Sequence, residues 1–499
     1  MVLTALSKVS GFLRDITLSF FYGATNTSDA YIISITITSV LFSLIIMGIS
    51  TAYIPMFKQI EHDLDQRSAD AFTNNLINIV LIISTGVILF GLTFSNVLVK
   101  LFALGFDVET LKVAVLFTRI GLVGIYFISL TQLFISYLQL NGKFTIPAMI
   151  GLPFNFIIIL SIIISTQTNI IVLAIGSVVA AFIQMIFLLP TLNKTSYRYS
   201  PVVRFKDKDI GKMAIIVFPV MIGISIDQIN LMIDKTLAST LVEGGISALT
   251  YASRLNDFVQ GIFVLSFVTV MFPLISNMAA KKNMEEFKNS ISEVISSVMV
   301  IVVPASVGIM ILSEPIIRLL FGRGHFDELA IDMTAHALFF YSIGMIGYGI
   351  REILNRTFYS LQDTKTPMYN AAISVVLNII LNFILSSFMG ISGLALGTSI
   401  SALFCSTLLV INLRKKIGSF GLRGNFVTFL KVFFASSLMG VIVYVLYEYV
   451  LSEWQLIFKM VTVVFAGSIF YFIFITLFKV KETKILLNFF RNKTGLKPL

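Results

Sequence analysis

The sequence predicts an all-α polytopic membrane protein of about fourteen transmembrane helices: two six-helix lobes related by a parallel repeat, plus two C-terminal helices. Three observations carry this. Hydrophobic residues make up 57% of the 499 and charged residues only 12%, whereas soluble proteins have ~25% charged residues. Apolar runs of about 20 residues or more recur along the whole chain, long enough to cross a ~30 Å hydrocarbon core as helices that satisfy their own backbone groups. Motifs of the first half also return in the second. The alternation of a membrane β-barrel is not seen.

The expected spans lie near 3–22, 30–57, 74–99, 111–139, 146–166, 169–191, 212–240, 246–278, 291–312, 331–360, 367–389, 391–412, 426–449 and 456–478. The first, LSKVSGFLRDITLSFFYG, holds Lys8, Arg14 and Asp15. Lys8 and Asp15 nearly eclipse on a helix, with Gly11 between them, while Arg14 projects about a third of a turn away. Asp29 opens the second span, and Gly11 and Gly48 suit close helix approach. Arg119 falls on the fourth span, and Arg351, Glu352 and Arg356 on the tenth, where the arginines either line a polar path or snorkel to the interface.

The seventh and eighth spans matter most. Between Ile224 and Pro273 two apolar helices, joined near Glu243-Gly244-Gly245, carry Asp227, Asn230, Asp234, Lys235, Arg254 and Asp257. An ionisable group at bilayer depth costs at least ~2.5 kcal/mol, so such groups face a bundle interior or a water-filled path. Asp227, Asn230 and Asp234 share one helix face, and Arg254 and Asp257 are spaced to pair. They either line a polar site or satisfy one another. Further on, Asn378 and Asn382 stand one turn apart, and Thr398 follows a Gly-Leu-Ala-Leu-Gly stretch. With Asp234 they form an oxygen-only set suited to a hard cation such as Na⁺, or else make helix-to-helix hydrogen bonds.

The repeat is read from four matches. LVKLFALGFD, ending at Asp107, resembles IIRLLFGRGHFD, ending at Asp327, each just before a long helix. Gln139 precedes Asn155 by the same interval that separates Gln362 from Asn378, with Pro147 and Pro367 between them. Pro55 and Pro273 end the second helix of each half. An even number of spans per half gives both the same orientation, and the cleft between such halves is where transporters place substrate. The expected divisions are 1–192 for the N-lobe, 193–211 for a cytoplasmic linker, 212–416 for the C-lobe, and 417–499 for two helices and a basic tail. The linker, from Asn193 to Lys212, reads as a solvated tether, with an amphipathic segment on anionic lipid as the alternative.

The net charge is +10, but the basic residues sit in short loops, which points to the positive-inside rule and not to nucleic acid. With the N-terminus inside, Lys194, Arg198, Arg204, Lys206 and Lys208 share one cytoplasmic loop; Lys281, Lys282 and Lys288 share another; Arg414, Lys415, Lys416 and Arg423 a third. The tail bearing Lys479, Lys481, Lys484, Arg491, Lys493 and Lys497 is also placed inside, leaving chiefly Lys100, Arg318, Arg323 and Lys459 opposite. The N-terminus lacks a basic n-region and a cleavage site, so the first helix is expected to be retained. Cys405 alone cannot form an internal disulfide, and His62, His325 and His336 have no metal-ligand spacing. No Walker A or hydrolytic motif is present, so an ion gradient or the membrane potential is expected to drive any transport.

The chain resembles the MurJ (MviN) family of lipid II flippases, of the multidrug/oligosaccharidyl-lipid/polysaccharide exporter superfamily, over essentially its whole length. The segments that carry this are SKVSGFLRD at Ser7 to Asp15, SDAY at Ser28 to Tyr31, AYIPMF at Ala52 to Phe57, YASRLNDF at Tyr251 to Phe258 and FYSLQDTKTP at Phe358 to Pro367. The resemblance implies a two-lobed, fourteen-helix transporter that carries undecaprenyl-pyrophosphoryl disaccharide-pentapeptide to the outer leaflet by alternating access. It implies cavity charges at Lys8, Arg14, Asp29, Arg254 and Asp257, where Lys8 replaces a common arginine and Asp257 a glutamate. It also implies a sodium site of Asp234, Asn378, Asn382, the Leu394 carbonyl and Thr398, and a groove for the polyprenyl tail on the two extra helices.

One departure stands out: many members carry paired arginines and a glutamate in helix two, whereas here no charge falls between Asp29 and Lys58. The pyrophosphate is then held by fewer guanidinium groups, or the substrate is another polyprenyl-linked oligosaccharide. A cation-coupled drug exporter and a non-transporting scaffold for cell-wall enzymes are the remaining alternatives. The expected setting is the bacterial cytoplasmic membrane, multi-pass, with both termini cytoplasmic. The expected partners are lipid II or a related glycan and membrane lipids, with no required cofactor beyond a coupling Na⁺, and the chain is expected to be a monomer.

Overall fold

The computed structural model describes residues 2–195, 197–261, 264, 268, 271, 276–278 and 283–482. Pro273, Lys281, Lys282, Lys484, Arg491, Lys493 and Lys497 lie outside the described residues. Long apolar runs offer the backbone no competing polar partners, and the described elements are helical. In order they are α1 (Val2–Tyr22), α2 (Asn26–Asp63), α3 (Gln66–Phe102), α4 (Val108–Leu122), α5 (Gly124–Leu140), α6 (Thr145–Met149), α7 (Gly151–Gln167) and α8 (Ile171–Leu192). Then come α9 (Lys208–Leu241), α10 (Gly245–Gln260), α11 (Met284–Ile311), α12 (Ser313–Leu320), α13 (Glu328–Ser360) and α14 (Lys365–Met389). Last are α15 (Ile391–Ile417), α16 (Leu422–Val445), a π-helical turn (Leu446–Val450) and α17 (Leu456–Leu477).

Short polar side chains start several of these helices. Asp65 accepts from Ser68 N, Asp107 from Glu109 N and Thr110 N, Asp207 from Asp209 N, and Asn283 from Glu286 N, each satisfying orphan donors of a first turn. The span expected at 111–139 is two helices, α4 and α5, bent by 41°. Val123 sits at the break between Gly121 and Gly124, where glycine lowers the resistance to kinking.

Among the described residues, nine helices are long and apolar enough to cross a membrane, ten if the bent pair counts as one span. The other four expected spans correspond to α1, α2, α9 and the segment that α10 opens. Of these, α1 bears Lys8, Arg14 and Asp15, α9 bears Asp227, Asp234 and Lys235, and α10 bears Arg254 and Asp257. Three of these four therefore carry charged groups within the stretch expected to cross the membrane.

The chain forms two compact units, Met1–Ser247 with Arg323–Asp327, and Ala248–Gly322 with Glu328–Leu499. Compactness thus divides the chain elsewhere than the repeat boundary near 193–211, because α9 packs on α2 and α3. In the first unit Tyr53 stacks on Phe72 with ring centroids 6.2 Å apart, and Phe57 meets the Tyr137 ring edge-on at 5.7 Å. The connection before α9 is not a free tether. Three buried asparagines of α3 pin it: Asn74 Nδ2 donates to Arg198 O, Asn75 Nδ2 to Arg204 O, and Asn78 Nδ2 to Val202 O, at 2.9–3.0 Å. Tyr197 Oη and Tyr199 Oη donate back to Asn74 Oδ1 and Asn78 Oδ1, both at 2.6 Å. Amides satisfy an extended backbone that has no ladder of its own.

In the second unit a valine-rich face of α11, including Val294, Val298 and Val302, packs with Phe358, Leu409, Val432 and Val463. The two C-terminal helices join this core. Asn425 Oδ1 of α16 accepts from Ser292 Oγ and Ser296 Oγ at 2.6 and 3.0 Å, and Tyr471 Oη of α17 donates to Val300 O at 2.6 Å.

The FYSLQDTKTP segment turns from α13 into α14. Asp363 accepts from Thr366 N at 3.0 Å and Thr366 Oγ1 at 2.8 Å, and the Lys416 ammonium of α15 donates to Oδ2. Lys416, followed by the Thr366 bonds, pulls the Asp363 pKa down to about 2. A depressed folded-state pKa gives stability that is complete above the unfolded value of ~3.9 and is lost as pH falls toward 2. Replacing Asp363 with alanine should cost ~1 kcal/mol at neutral pH, as for other helix-capping groups. Thermal unfolding in detergent should show the gap from wild type closing between about pH 4 and pH 2; a gap of constant size would rule out the ionic contribution.

Candidate functional site

Arg14 lies midway along an apolar helix with its side chain 24% exposed, beside Asp15 at 13%. Its Nε and Nη2 donate to Asp15 Oδ1 at 3.0 and 2.8 Å, and Nη1 donates to Asn155 Oδ1 of α7 at 3.3 Å. The other end of the Asn155 amide donates to Ser10 Oγ at 3.0 Å and Ser7 O at 3.4 Å. Such contact needs α1 and α7 close together, and a Cβ added at Gly151 would stand 1.9 Å from Ser7 Oγ. Asp15 therefore pairs with Arg14, whereas spacing alone aligned it with Lys8. The Lys8 side chain is exposed and makes no ion pair among the described residues.

Asp29 is buried in the first turn of α2, 1% exposed. Its Oδ1 accepts from Ser247 N at 2.7 Å and Ser247 Oγ at 2.5 Å, and Ser247 Oγ also donates to Ser28 Oγ at 2.9 Å. Ser247 lies in the first turn of α10, so Asp29 places negative charge at that helix's N-terminus, where orphan N–H groups and the helix dipole favour it. The buried Lys235 ammonium of α9 adds favourable electrostatics. In this arrangement Asp29 is a clasp between helices and is not open to solvent.

Close backbone approaches surround that clasp. Gly244 has φ +75° and Gly324 has φ +67°; a Cβ added to them would stand 2.0 Å from Ala24 O and 2.2 Å from Phe20 O. His325 N donates to Phe20 O at 2.9 Å. Gly105 N donates to Ser239 Oγ at 3.1 Å, and Thr236 Oγ1 donates to Leu101 O. The two repeated loops are thus used reciprocally: the first-half loop lies against α9, and the second-half loop lies against the end of α1.

Arg254 and Asp257 are exposed, one turn apart on α10, in the second unit. On α9 Asp227 is exposed, while Asn230 Nδ2 donates to Asp234 Oδ2 at 3.5 Å, as their shared face predicts. Arg356 pairs with Glu352 at 3.0 Å, and Arg119 donates to Ser95 Oγ at 2.8 Å, so both are engaged locally.

The neutral members of the oxygen set converge in the second unit. Asn382 Nδ2 donates to Asn378 Oδ1 at 3.1 Å, Asn378 Nδ2 to Thr398 Oγ1 at 3.4 Å, and Thr398 Oγ1 to Leu394 O at 2.9 Å. A Cβ added at Gly397 would stand 2.5 Å from Asn382 Oδ1, so the small residue leaves room for the amide. Neutral oxygens of this kind fit Na⁺; Asp234, which would supply the charge, belongs to the first unit. Among the described residues no group of three or more His, Cys, Asp or Glu could hold a metal ion.

Sequence reasoning noticed Asn155 only as a repeat marker beside Asn378. The amide at each of the two repeat positions ties two helices together. If the Asp29–Ser247 clasp operates as described, Asp29→Ala and Ser247→Ala should each destabilise the chain, and the double variant should lose ~1 kcal/mol less than the sum. Chemical unfolding in detergent reads this, and strict additivity would refute the coupling.

The profile described as "Lipid II flippase MurJ" matches residues 18–465. A probable lipid II flippase MurJ from Buchnera aphidicola subsp. Acyrthosiphon pisum is 30% identical, covering 91% of this chain and 90% of that protein. One from Thermotoga maritima is 27% identical over 97% and 96%, and one from Vibrio cholerae 29% over 82% and 80%. A solved lipid II flippase MurJ in an inward closed conformation superposes with a TM-score of 0.81 at 26% identity, covering 96% of this chain and 98% of that one. An inward-facing multidrug resistance MATE family transporter of the MOP superfamily shares the fold, with a TM-score of 0.71 at 13% identity over 82% and 94%. With the family match spanning most of the sequence, the chain belongs to the MurJ family of lipid II flippases.

Proposed function

We propose that this chain carries lipid II from the cytoplasmic to the outer leaflet by alternating access, with Lys8, Arg14 and Arg254 receiving the pyrophosphate. The observation that carries the site assignment is the half-buried Arg14 guanidinium, fixed in orientation by Asp15 and Asn155. A guanidinium offers phosphate oxygens a planar fork, whereas the exposed Lys8 ammonium acts as a point charge. Asp15 balances the charge while no substrate is bound, and this limits the desolvation cost of Arg14. Asp257, one turn from Arg254, serves the same purpose on α10. Asp29 acts one step away from the substrate, by fastening the start of α10.

The basic loops favour cytoplasmic termini and a multi-pass chain in the bacterial cytoplasmic membrane, acting as a monomer. Energy comes from an ion gradient or the membrane potential, which supplies ~2.3 kcal/mol per charge crossing 100 mV. Asn378, Asn382, the Leu394 carbonyl, Thr398 and Asp234 would hold Na⁺, which would supply positive charge to that lobe. The lack of charge between Asp29 and Lys58 favours a second reading on the substrate alone, another polyprenyl-linked oligosaccharide.

Expression in a bacterium depleted of its own lipid II flippase tests the assignment, with growth and outer-leaflet lipid II as readouts. Wild type should rescue both, while Arg14→Ala and Arg254→Ala, at normal membrane abundance, should rescue neither. Growth on the arginine variants would remove their binding role, and failure of well-expressed wild type would favour the second reading. In the same assay Asp234→Ala should lose whatever dependence on external sodium the wild type shows; an unchanged sodium response would remove the ion site.

A further inference from the structure

A cavity of about 680 Å³ opens in the second unit where the end of α11, α12, the start of α13, the π-helical turn and the start of α17 meet. The pyrophosphate assignment makes no use of it. Its charged walls divide into committed and uncommitted groups. Arg318 is committed: it donates to both Glu328 oxygens at 2.7 Å and to Glu314 Oε1 at 3.0 Å. His336 lies 3.2 Å from Asp332 Oδ1.

Two lining groups remain. Lys459 is only 9% exposed, and its ammonium sits 3.8 Å from the centroid of the Tyr447 ring. Among the described residues its ammonium has no hydrogen bond and no carboxylate within 4.0 Å. Glu448, exposed on the π-helical turn, likewise has neither an ion pair nor a hydrogen bond among the described residues. A lysine nine-tenths buried as a residue, with its ammonium held by a ring face, is an incomplete arrangement, because desolvating a charge is costly until a counter-charge arrives. π-helical turns, which lengthen one turn to redirect side chains, recur at functional sites.

We infer that this cavity binds a zwitterion whose anionic group meets Lys459 and whose ammonium meets Glu448. A simple anion would also face Glu448, Glu314 and Asp332, and a simple cation would face Lys459 and Arg318. One ligand carrying both signs satisfies both uncommitted groups without creating a like-charge contact. Two sources offer this chemistry: the headgroup of an aminophospholipid, and a free peptide with an amine and a carboxylate. Exposed Phe458 and Val461, on either side of the first α17 turn with Lys459, supply an apolar surface for acyl chains.

The chain contains a single tryptophan, Trp454, in the turn that joins Glu448 to Lys459. Its emission reads changes in this turn, whose two ends line the cavity, in the full-length protein in detergent. Dihexanoyl phosphatidylethanolamine should give a saturable change, and dihexanoyl phosphatidylglycerol, which lacks the ammonium, should not. The midpoint should rise at least tenfold in both Lys459→Gln and Glu448→Gln; the second changes an exposed side chain and so preserves the test if the first fails to fold. Saturation by D-alanyl-D-alanine with the same dependence on both variants would assign the zwitterion to a soluble peptide, and no response to it would assign it to the lipid. No saturable response to either zwitterion, an equal response to phosphatidylglycerol, or midpoints unchanged in both variants would overturn the site. None of these outcomes depends on flippase activity.

Discussion

A carboxylate removed from water must be repaid by donors that stay in place, and the Asp29 carboxylate is repaid by the first turn of a helix that begins over two hundred residues later. Ser247 supplies a backbone N–H and a hydroxyl to the same oxygen. Both lie at the end of α10 where the peptide dipoles present positive charge. The geometry works only if the two turns nearly touch, which explains the left-handed Gly244 against Ala24 and the left-handed Gly324 against Phe20. These contacts also explain why compactness assigns residues up to Ser247, and the 323–327 loop, to the first unit.

Away from that clasp, the apolar interior is cross-linked mostly by amides and hydroxyls. Asn155 joins α1 to α7, Asn378 joins α14 to α15, and Asn425 joins α16 to α11. Each such bond contributes only ~0.6 kcal/mol in a membrane, because the alternative partners are also present in the unfolded helices. Their value is positional. A neutral amide can fix the rotation of one helix against another without the desolvation cost of an ion, and this lets Asn155 orient Arg14 while the ionic interaction goes to Asp15.

Much of this was legible in the residues. Composition and run length give the helices, and the match of LVKLFALGFD to IIRLLFGRGHFD gives the two-fold repeat whose loops pack reciprocally against α9 and α1. The charges in α1, α9 and α10 stand out because lipid would reject them. Pairing was less legible: Arg14 and Asp15 are adjacent in sequence and point about 100° apart on an ideal helix, yet the long guanidinium reaches back to its neighbour. The linker misled for a related reason. Its polarity suggests solvent, but its backbone partners are three asparagines of α3, and no periodicity within 198–204 records an anchor supplied by another helix.

Two physical kinds of ion stand out among the described residues. Asp29, Asp363 and Arg318 are saturated: their partners are fixed protein groups, and exchanging those partners would unfasten helices. Arg14 is different: its side chain is 24% exposed, and its bonds to Asp15 and Asn155 join side chains and cap no helix end. If Arg14 receives the pyrophosphate as proposed, binding dismantles no cap. A transporter that must bind and then release a doubly charged group is served by an arginine with a carboxylate beside it. An arginine with no counter-charge would make both the empty protein and the release step costly. In the proposed site the Asp15 carboxylate would supply that counter-charge from the adjacent position in the chain, so the affinity for pyrophosphate would be tuned by a residue that need never touch the substrate.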